Sequence, residues 1–211
     1  MSEKSDRPVA LVTGGGTGIG AACCRALAAE GLRVAVHYRS SAESAAKVAS
    51  ELDGAFTVQG DLSVPEQVDG VIAQLKDAAG RVDVLVNNAG LNVNAPVLTM
   101  KLEDYDAVAG LARGTWYLTK LVLRRFMLRS GTGRVVNISS VVGHTGNAGQ
   151  IPYTMVKAGL DAFTKSLAQE LAGRTTATGS RRAKAGRKWA TSRVGGALAR
   201  QRLGGGSPAR R

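Results

Sequence analysis

Cysteine, histidine and aromatic residues are scarce in this 211-residue chain: two Cys, two His, two Trp, four Tyr and three Phe. With Cys23, Cys24, His37 and His144 scattered over different segments, no metal-ligand spacing exists, and no metal site is expected. Cys23 and Cys24 are adjacent; on a helix they point about 100° apart, which makes a mutual disulfide awkward. They read instead as small buried residues of a reducing compartment. A long apolar run is also missing. Met1 to Pro8 is charged and has no apolar leader segment, and no stretch approaches the ~18 apolar residues of a membrane span. The expectation is a cytoplasmic protein with no membrane association.

Acidic residues are absent from one end. The 28 basic and 16 acidic groups divide as 17 and 16 over residues 1–172, and as 11 and none over residues 173–211. The net charge of +12 therefore belongs to the tail, and the body must be explained without a basic footprint. The tail is dominated by Arg, Gly, Ala, Ser and Thr and has Trp189 as its one aromatic residue. It offers no motif for specific nucleic-acid binding. It cannot offset its ordering entropy by burial, so residues 173–211 are expected to be disordered.

What remains is an apolar fraction of 44%, ample for one domain over residues 1–172. Short β-branched runs at 9–12, 33–37, 55–59, 82–86 and 134–138 alternate with Ala- and Leu-rich helical stretches. Strands apolar on both faces, separated by helices, predict an α/β, doubly wound parallel sheet of the Rossmann-like type. Gly31 is expected to end the first helix, Pro65 to open the third and Gly80 to close it. With nothing strand-like after residue 172, the sheet should stop after its fifth strand and the following helix.

The first strand runs into Thr13-Gly14-Gly15-Gly16-Thr17-Gly18-Ile19-Gly20 and then a helix. Glycines allow a tight turn and close backbone approach to a diphosphate, whose charge the helix N-terminus favours. At the end of the second strand an NAD enzyme would place an acid for the ribose hydroxyls. Here stand Arg39 and Ser40, suited to a 2′-phosphate, so NADP(H) is the cofactor expected. Further on, Tyr153 and Lys157 are spaced to share one helix face. An ammonium beside a phenol stabilises phenolate, which suits Tyr153 to proton exchange with a carbonyl oxygen.

Taken in order, the glycine turn, Asp61-Leu62 after strand three, Asn87-Asn88-Ala89-Gly90 after strand four, and Ser140 followed by Tyr153 and Lys157 resemble the short-chain dehydrogenase/reductase family. The loop Ser140-Val141-Val142-Gly143, with Gly146-Asn147-Ala148-Gly149-Gln150, is most similar to bacterial 3-oxoacyl-[acyl-carrier-protein] reductases. The resemblance implies Ser140, Tyr153 and Lys157 as catalytic residues. It implies Gly14, Thr17, Gly18, Ile19, Gly20, Arg39, Ser40, Asp61, Leu62, Asn88, Ala89, Gly90, Tyr153 and Lys157 as cofactor contacts. The expected reaction is NADPH-dependent reduction of a 3-oxoacyl thioester, linked to acyl carrier protein or CoA. Another alcohol or ketone substrate, or a catalytically impaired homologue, is the alternative. Arg124, Arg125 and Arg129 lie where these reductases carry basic residues, and Arg125 and Arg129 are expected to dock the acidic carrier protein. A homo-oligomer, dimer or tetramer, is implied.

Two departures stand out. On the long helix after Gly90, Leu111 occupies the position of an Asn that in relatives helps relay protons to the Lys. After Gly173 the sixth strand, Pro-Gly motif, substrate lid and seventh strand of relatives do not appear. The tail resembles a GC-rich coding region read out of frame, leaving strand five as a bare edge with weak activity expected.

Overall fold

The computed structural model describes residues 6–172 and 176–183, with side chains left out of account for Arg129 and for 176–183. Aliphatic runs form the inner strands because both of their faces are covered, while the edge strand Phe56–Gln59 alternates and is partly exposed. Val9–Val12 (β1) is buried throughout, and Arg33–Tyr38 (β2), Phe56–Gln59 (β3), Val84–Asn87 (β4) and Gly133–Ser140 (β5) follow. The helices are Gly18–Ala29 (α1), Ala42–Ser50 (α2), Pro65–Ala78 (α3), Leu102–Val122 (α4), Leu128–Ser130 (α5), Val142–Thr145 (α6) and Ile151–Glu170 (α7). A π-helical turn, Leu123–Met127, joins α4 to α5. Pro65 opens α3, and Gly31 and Gly80 follow α1 and α3 with positive φ.

All strand pairings among the described residues are parallel, in the order β3-β2-β1-β4-β5 with a sixth strand, Thr176–Ala183 (β6), beside β5. One apolar layer, including Val36, Cys24, Ala45 and Val48, lies under α1 and α2. The other, including Leu85, Val68, Leu75, Leu118 and Leu167, lies under α3, α4 and α7. Helices on both faces make the sheet doubly wound, and the chain reverses its winding between β1 and β4. The carboxyl ends of those two strands therefore part to form the crevice where such sheets bind ligands. Cys23 and Cys24 are buried and free on α1; burial raises both thiols, Cys24 to about 12.

The expected end of the sheet at its fifth strand is corrected. Thr176–Ala183 (β6) runs parallel to β5 along its whole length, from Gly133 opposite Thr176 to Ser140 opposite Ala183. Strand β5 is therefore not a bare edge, and the tail is not wholly without structure. An exposed row of backbone donors and acceptors is satisfied by any extended segment, so Thr, Ala, Gly and Ser suffice without large apolar side chains. The rest of the predicted disordered tail, 184–211, and residues 173–175 lie outside the described residues.

Close packing then sets α4 against the crevice. A Cβ at Gly114 would overlap the carbonyl of Leu62, so only glycine lets the helix approach the β3–α3 loop this closely.

Candidate active site

The glycine turn is built by hydrogen bonds to its neighbours. Thr13, at the end of β1, gives its hydroxyl to Val86 O (3.2 Å) and accepts from the N–H groups of Asn88 and Ala89, each at 2.9 Å. Asn88 returns its amide to Thr13 O at 2.9 Å and Gly14 O at 3.2 Å. The loop after β4 is thus stitched to the turn after β1. Gly14 has φ +62°, and a Cβ at Gly20 would run into Gly14 O and the Asn88 amide. Gly20 and Asn88 therefore shape the turn from beneath, while Thr17, Gly18 and Ile19 stand exposed at the start of α1. There the free N–H groups of a helix N-terminus favour an anion.

Beside the turn is a cavity of about 280 Å³ whose lining includes Gly14, Thr17, Arg39, Ser40, Asp61, Leu62 and Gly90. Burial alone would raise the Asp61 carboxyl. Hydrogen bonds from Ser63 Oγ (2.7 Å) and N (2.9 Å), with Arg39 nearby, outweigh that and hold it below its usual range. The Arg39 guanidinium lies 4.0 Å from Asp61 and its side chain is 64% exposed. A cationic fork, a hydroxyl at Ser40 and a helix N-terminus along one trough fit a phosphorylated dinucleotide.

His37 is part of the frame of the glycine turn. It is 2% exposed on β2. Its Nδ1 accepts from Gly14 N–H at 3.2 Å, which puts the proton on Nε2, and Nε2 donates to Gly60 O at 2.9 Å. Burial pushes the imidazole down to about 4, so it is neutral at physiological pH. The unfolded chain takes up this proton more readily, so the stabilisation is fully present above pH 6.5 and is lost as pH falls toward about 4. The loss is roughly 3 kcal/mol over that window. Urea unfolding at pH 7.5 and 4.5 should show it, and His37→Asn, which keeps an acceptor for Gly14 and does not titrate, should lose that part of the pH dependence. An equal pH dependence in both proteins would contradict the assignment.

At the other end of the crevice, β5 delivers Ser139 and Ser140, and α7 delivers Tyr153, Lys157 and Asp161. Ser139 Oγ donates to Lys157 O at 3.3 Å and is buried in packing. Ser140 is partly exposed and its hydroxyl accepts from Val142 N–H at 3.4 Å. Gly143 lets α6 press on α7, since a Cβ there would come within 2.9 Å of Ala158 N. His144 Nε2, on α6, lies 2.7 Å from Asp161 Oδ2 on α7.

Lys157 is 6% exposed, donates to Ile138 O at 2.6 Å and places Nζ 5.5 Å from the centre of the Tyr153 ring. Burial lowers its pKa, and Asp161 partly offsets this. Ala89, Gly90, Leu111, Thr115, Tyr153 and Lys157 are among the residues around a second cavity of about 290 Å³ between α4 and α7. Gly90, Leu91 and Leu111 border both cavities, which meet there.

Sequence reasoning missed a buried network behind these groups. Asn87 Nδ2 donates to Thr119 Oγ1 (3.0 Å) and Asn137 Oδ1 (2.8 Å), and Asn137 Nδ2 donates to Thr164 Oγ1 (2.8 Å). It ties α4, β4, β5 and α7 together at the site. The one available signal was that Asn87 and Asn137 each follow an apolar run, at 84–86 and 135–136. Arg124 and Arg125 are exposed on the π-helical turn; the side chain of Arg129 lies outside the described residues.

Comparison with known proteins bears on this arrangement. The family profile described as short chain dehydrogenase matches residues 8–178. A 3-oxoacyl-[acyl-carrier-protein] reductase of Synechocystis is 43% identical over 170 residues, which is 79% of this chain and 69% of that protein. A solved short chain dehydrogenase/reductase family protein superposes with a TM-score of 0.77 at 31% identity, covering 85% of this chain and 75% of the other. The landomycin C-6 ketoreductase LanV, solved with bound NADP and rabelomycin, gives 0.76 at 31% identity, covering 82% of this chain and 74% of its own.

Proposed function

This chain belongs to the short-chain dehydrogenase family of oxidoreductases, and from that premise we propose that it reduces 3-oxoacyl thioesters, carrier-protein- or CoA-linked, with NADPH. The observation that carries the reading is the buried Lys157 ammonium against the Tyr153 ring, with Ser140 on the neighbouring strand end. The thioester class follows from the Synechocystis relative. The choice of NADP rests on Arg39 and Ser40 in the trough and is supported by the NADP bound to LanV.

Bound NADPH supplies the hydride for the carbonyl carbon. The chain's own residues do the rest. The turn from Gly14 to Gly20, with Thr17, Gly18 and Ile19, receives the diphosphate at the start of α1. Arg39 and Ser40 take the 2′-phosphate, Asp61 and Leu62 the adenine, and Asn88, Ala89 and Gly90 the ribose side of the nicotinamide. Ser140 Oγ holds the substrate oxygen, and Tyr153 gives that oxygen its proton. Lys157 holds the nicotinamide ribose and stabilises the phenolate left on Tyr153. Arg124 and Arg125 are exposed, and Arg125, with Arg129 four residues on in the sequence, offers positive charge to an acidic carrier protein.

The test is NADPH consumption, followed by absorbance, with acetoacetyl-CoA against a panel of simple ketones. Turnover of the thioester with a kcat/KM about ten-fold or more above any ketone is expected. Preference for a ketone without the thioester would overturn the substrate class and leave the dehydrogenase chemistry standing.

A further inference from the structure

Helix α7 carries a buried carboxylate that the reduction steps above leave unused. Asp161 follows Lys157 by four residues, so the two side chains share one face of the helix about a turn apart. They are 8% and 6% exposed. A carboxylate this deep is costly to bury unless opposite charge meets it. Two groups of that sign are close. His144 Nε2, on α6, lies 2.7 Å from Asp161 Oδ2, and the Lys157 ammonium stands on the turn before. Helix α6 comes so near because Gly143 has no side chain; a Cβ there would lie 3.0 Å from the Lys157 carbonyl carbon. Burial disfavours the Lys157 ammonium, and the field of Asp161 opposes that.

Few other charges compete. Among the described residues lining the α4–α7 cavity, Tyr153 is the one ionisable side chain besides Lys157. Strand β5 brings the neutral Ser139 and Ser140 to this turn, and exposed Lys165 lies one turn beyond Asp161. Strand β6 sets Arg181 opposite Ile138 and Arg182 opposite Ser139; an arginine keeps its charge at every working pH. We propose that Asp161 is a positioning residue of the reductase site: its carboxylate, flanked by His144 across the α6–α7 junction, is the fixed counter-charge against which the Lys157 ammonium stands. The proposal rests on the reductase reading above. Asp161 borders neither cavity. It acts through Lys157, and so on the proton that Tyr153 gives up. The alkaline fall of activity belongs to the Tyr153–Lys157 pair as a unit, and a negative charge one turn away keeps both groups protonated to higher pH.

The test is the pH dependence of kcat/KM for acetoacetyl-CoA at saturating NADPH, in the full chain and in Asp161→Asn, which keeps the size and removes the charge. The alkaline limb should move about one unit to lower pH, so that the loss grows with pH and reaches about ten-fold above both limbs. Asp161→Glu, which keeps the charge, should return the limb toward its place. A carboxylate that served only to clasp α6, or to pair with an arginine of β6, would lower kcat/KM by one factor at every pH. A limb that stays in place in an Asp161→Asn protein that binds NADPH overturns the proposal. A neutron crystal structure of the unsubstituted chain at pH 8 reads the same charges without a variant. Asp161 bare of deuterium beside a Lys157 that carries three supports the counter-charge, and a deuterated Asp161 carboxyl overturns it. Failure of the unsubstituted chain to turn over any thioester would count against the substrate reading instead, and the pH profile is then taken with whichever ketone it reduces.

Discussion

Replacing Tyr153 by Phe is expected to lower kcat/KM by about 100- to 10,000-fold, roughly 3 to 5 kcal/mol of transition-state stabilisation, with NADPH binding nearly intact. The substitution deletes one hydroxyl and keeps the ring that stands 5.5 Å from Lys157 Nζ. Packing around α7 should therefore survive. What disappears is the only phenol among the described residues bordering the α4–α7 cavity, and with it the proton that the alkoxide oxygen must receive. The companion change Lys157→Met should be more damaging in two ways. It removes the charge that stabilises the phenolate, and it leaves Ile138 O without its 2.6 Å donor. NADPH absorbance gives the rate and NADPH fluorescence gives the binding. A Tyr153→Phe protein that keeps more than about a tenth of the activity would place the proton donor elsewhere.

Much of this site was legible because strand ends are legible. Runs such as Val9–Val12 and Val84–Asn87 are apolar on both faces, which only a covered parallel sheet accommodates. Once those strands are parallel, the glycine turn, Asn87–Gly90 and Ser140 all fall at the same edge. Strand β6 was not legible because its pairing depends on backbone groups that every residue carries, so Thr176–Ala183 shows no apolar alternation to betray it. The Asn87–Asn137 bond depends on β4 and β5 lying in a register that sets these two residues opposite each other, across 50 positions of sequence. The framing role of His37 was hidden for a related reason. A histidine with two free nitrogens is a candidate acid or base, but strands on both sides of β2 bury this one and Gly14 and Gly60 occupy both nitrogens. The pairing of His144 with Asp161 arises from α6 folding back on α7, a contact that local spacing does not reveal.

Arg39→Asp is expected to weaken NADPH binding by about 100-fold or more while leaving NADH binding unchanged or improved, inverting the cofactor preference. The Arg39 side chain is 64% exposed at the trough, and its nearest carboxylate, Asp61, lies at 4.0 Å, the outer limit of an ion pair. The guanidinium is therefore available to a ligand. A charge-assisted pair with a phosphate is typically worth about 1.5 to 3 kcal/mol, or about ten- to 150-fold in affinity. The reversed charge would add repulsion of the 2′-phosphate and would offer an acceptor to the free 2′-hydroxyl of NADH. Arg39→Gln, which removes the charge without reversing it, should fall between the two. Salt supplies an independent check, because Arg39 faces solvent. Raising ionic strength should weaken NADPH binding in the unsubstituted chain more than NADH binding, and this difference should vanish in Arg39→Gln. Titrations of each protein with both cofactors, read by fluorescence, decide the matter. Equal losses for NADPH and NADH would mean that Arg39 supports the loop and does not read the 2′-phosphate.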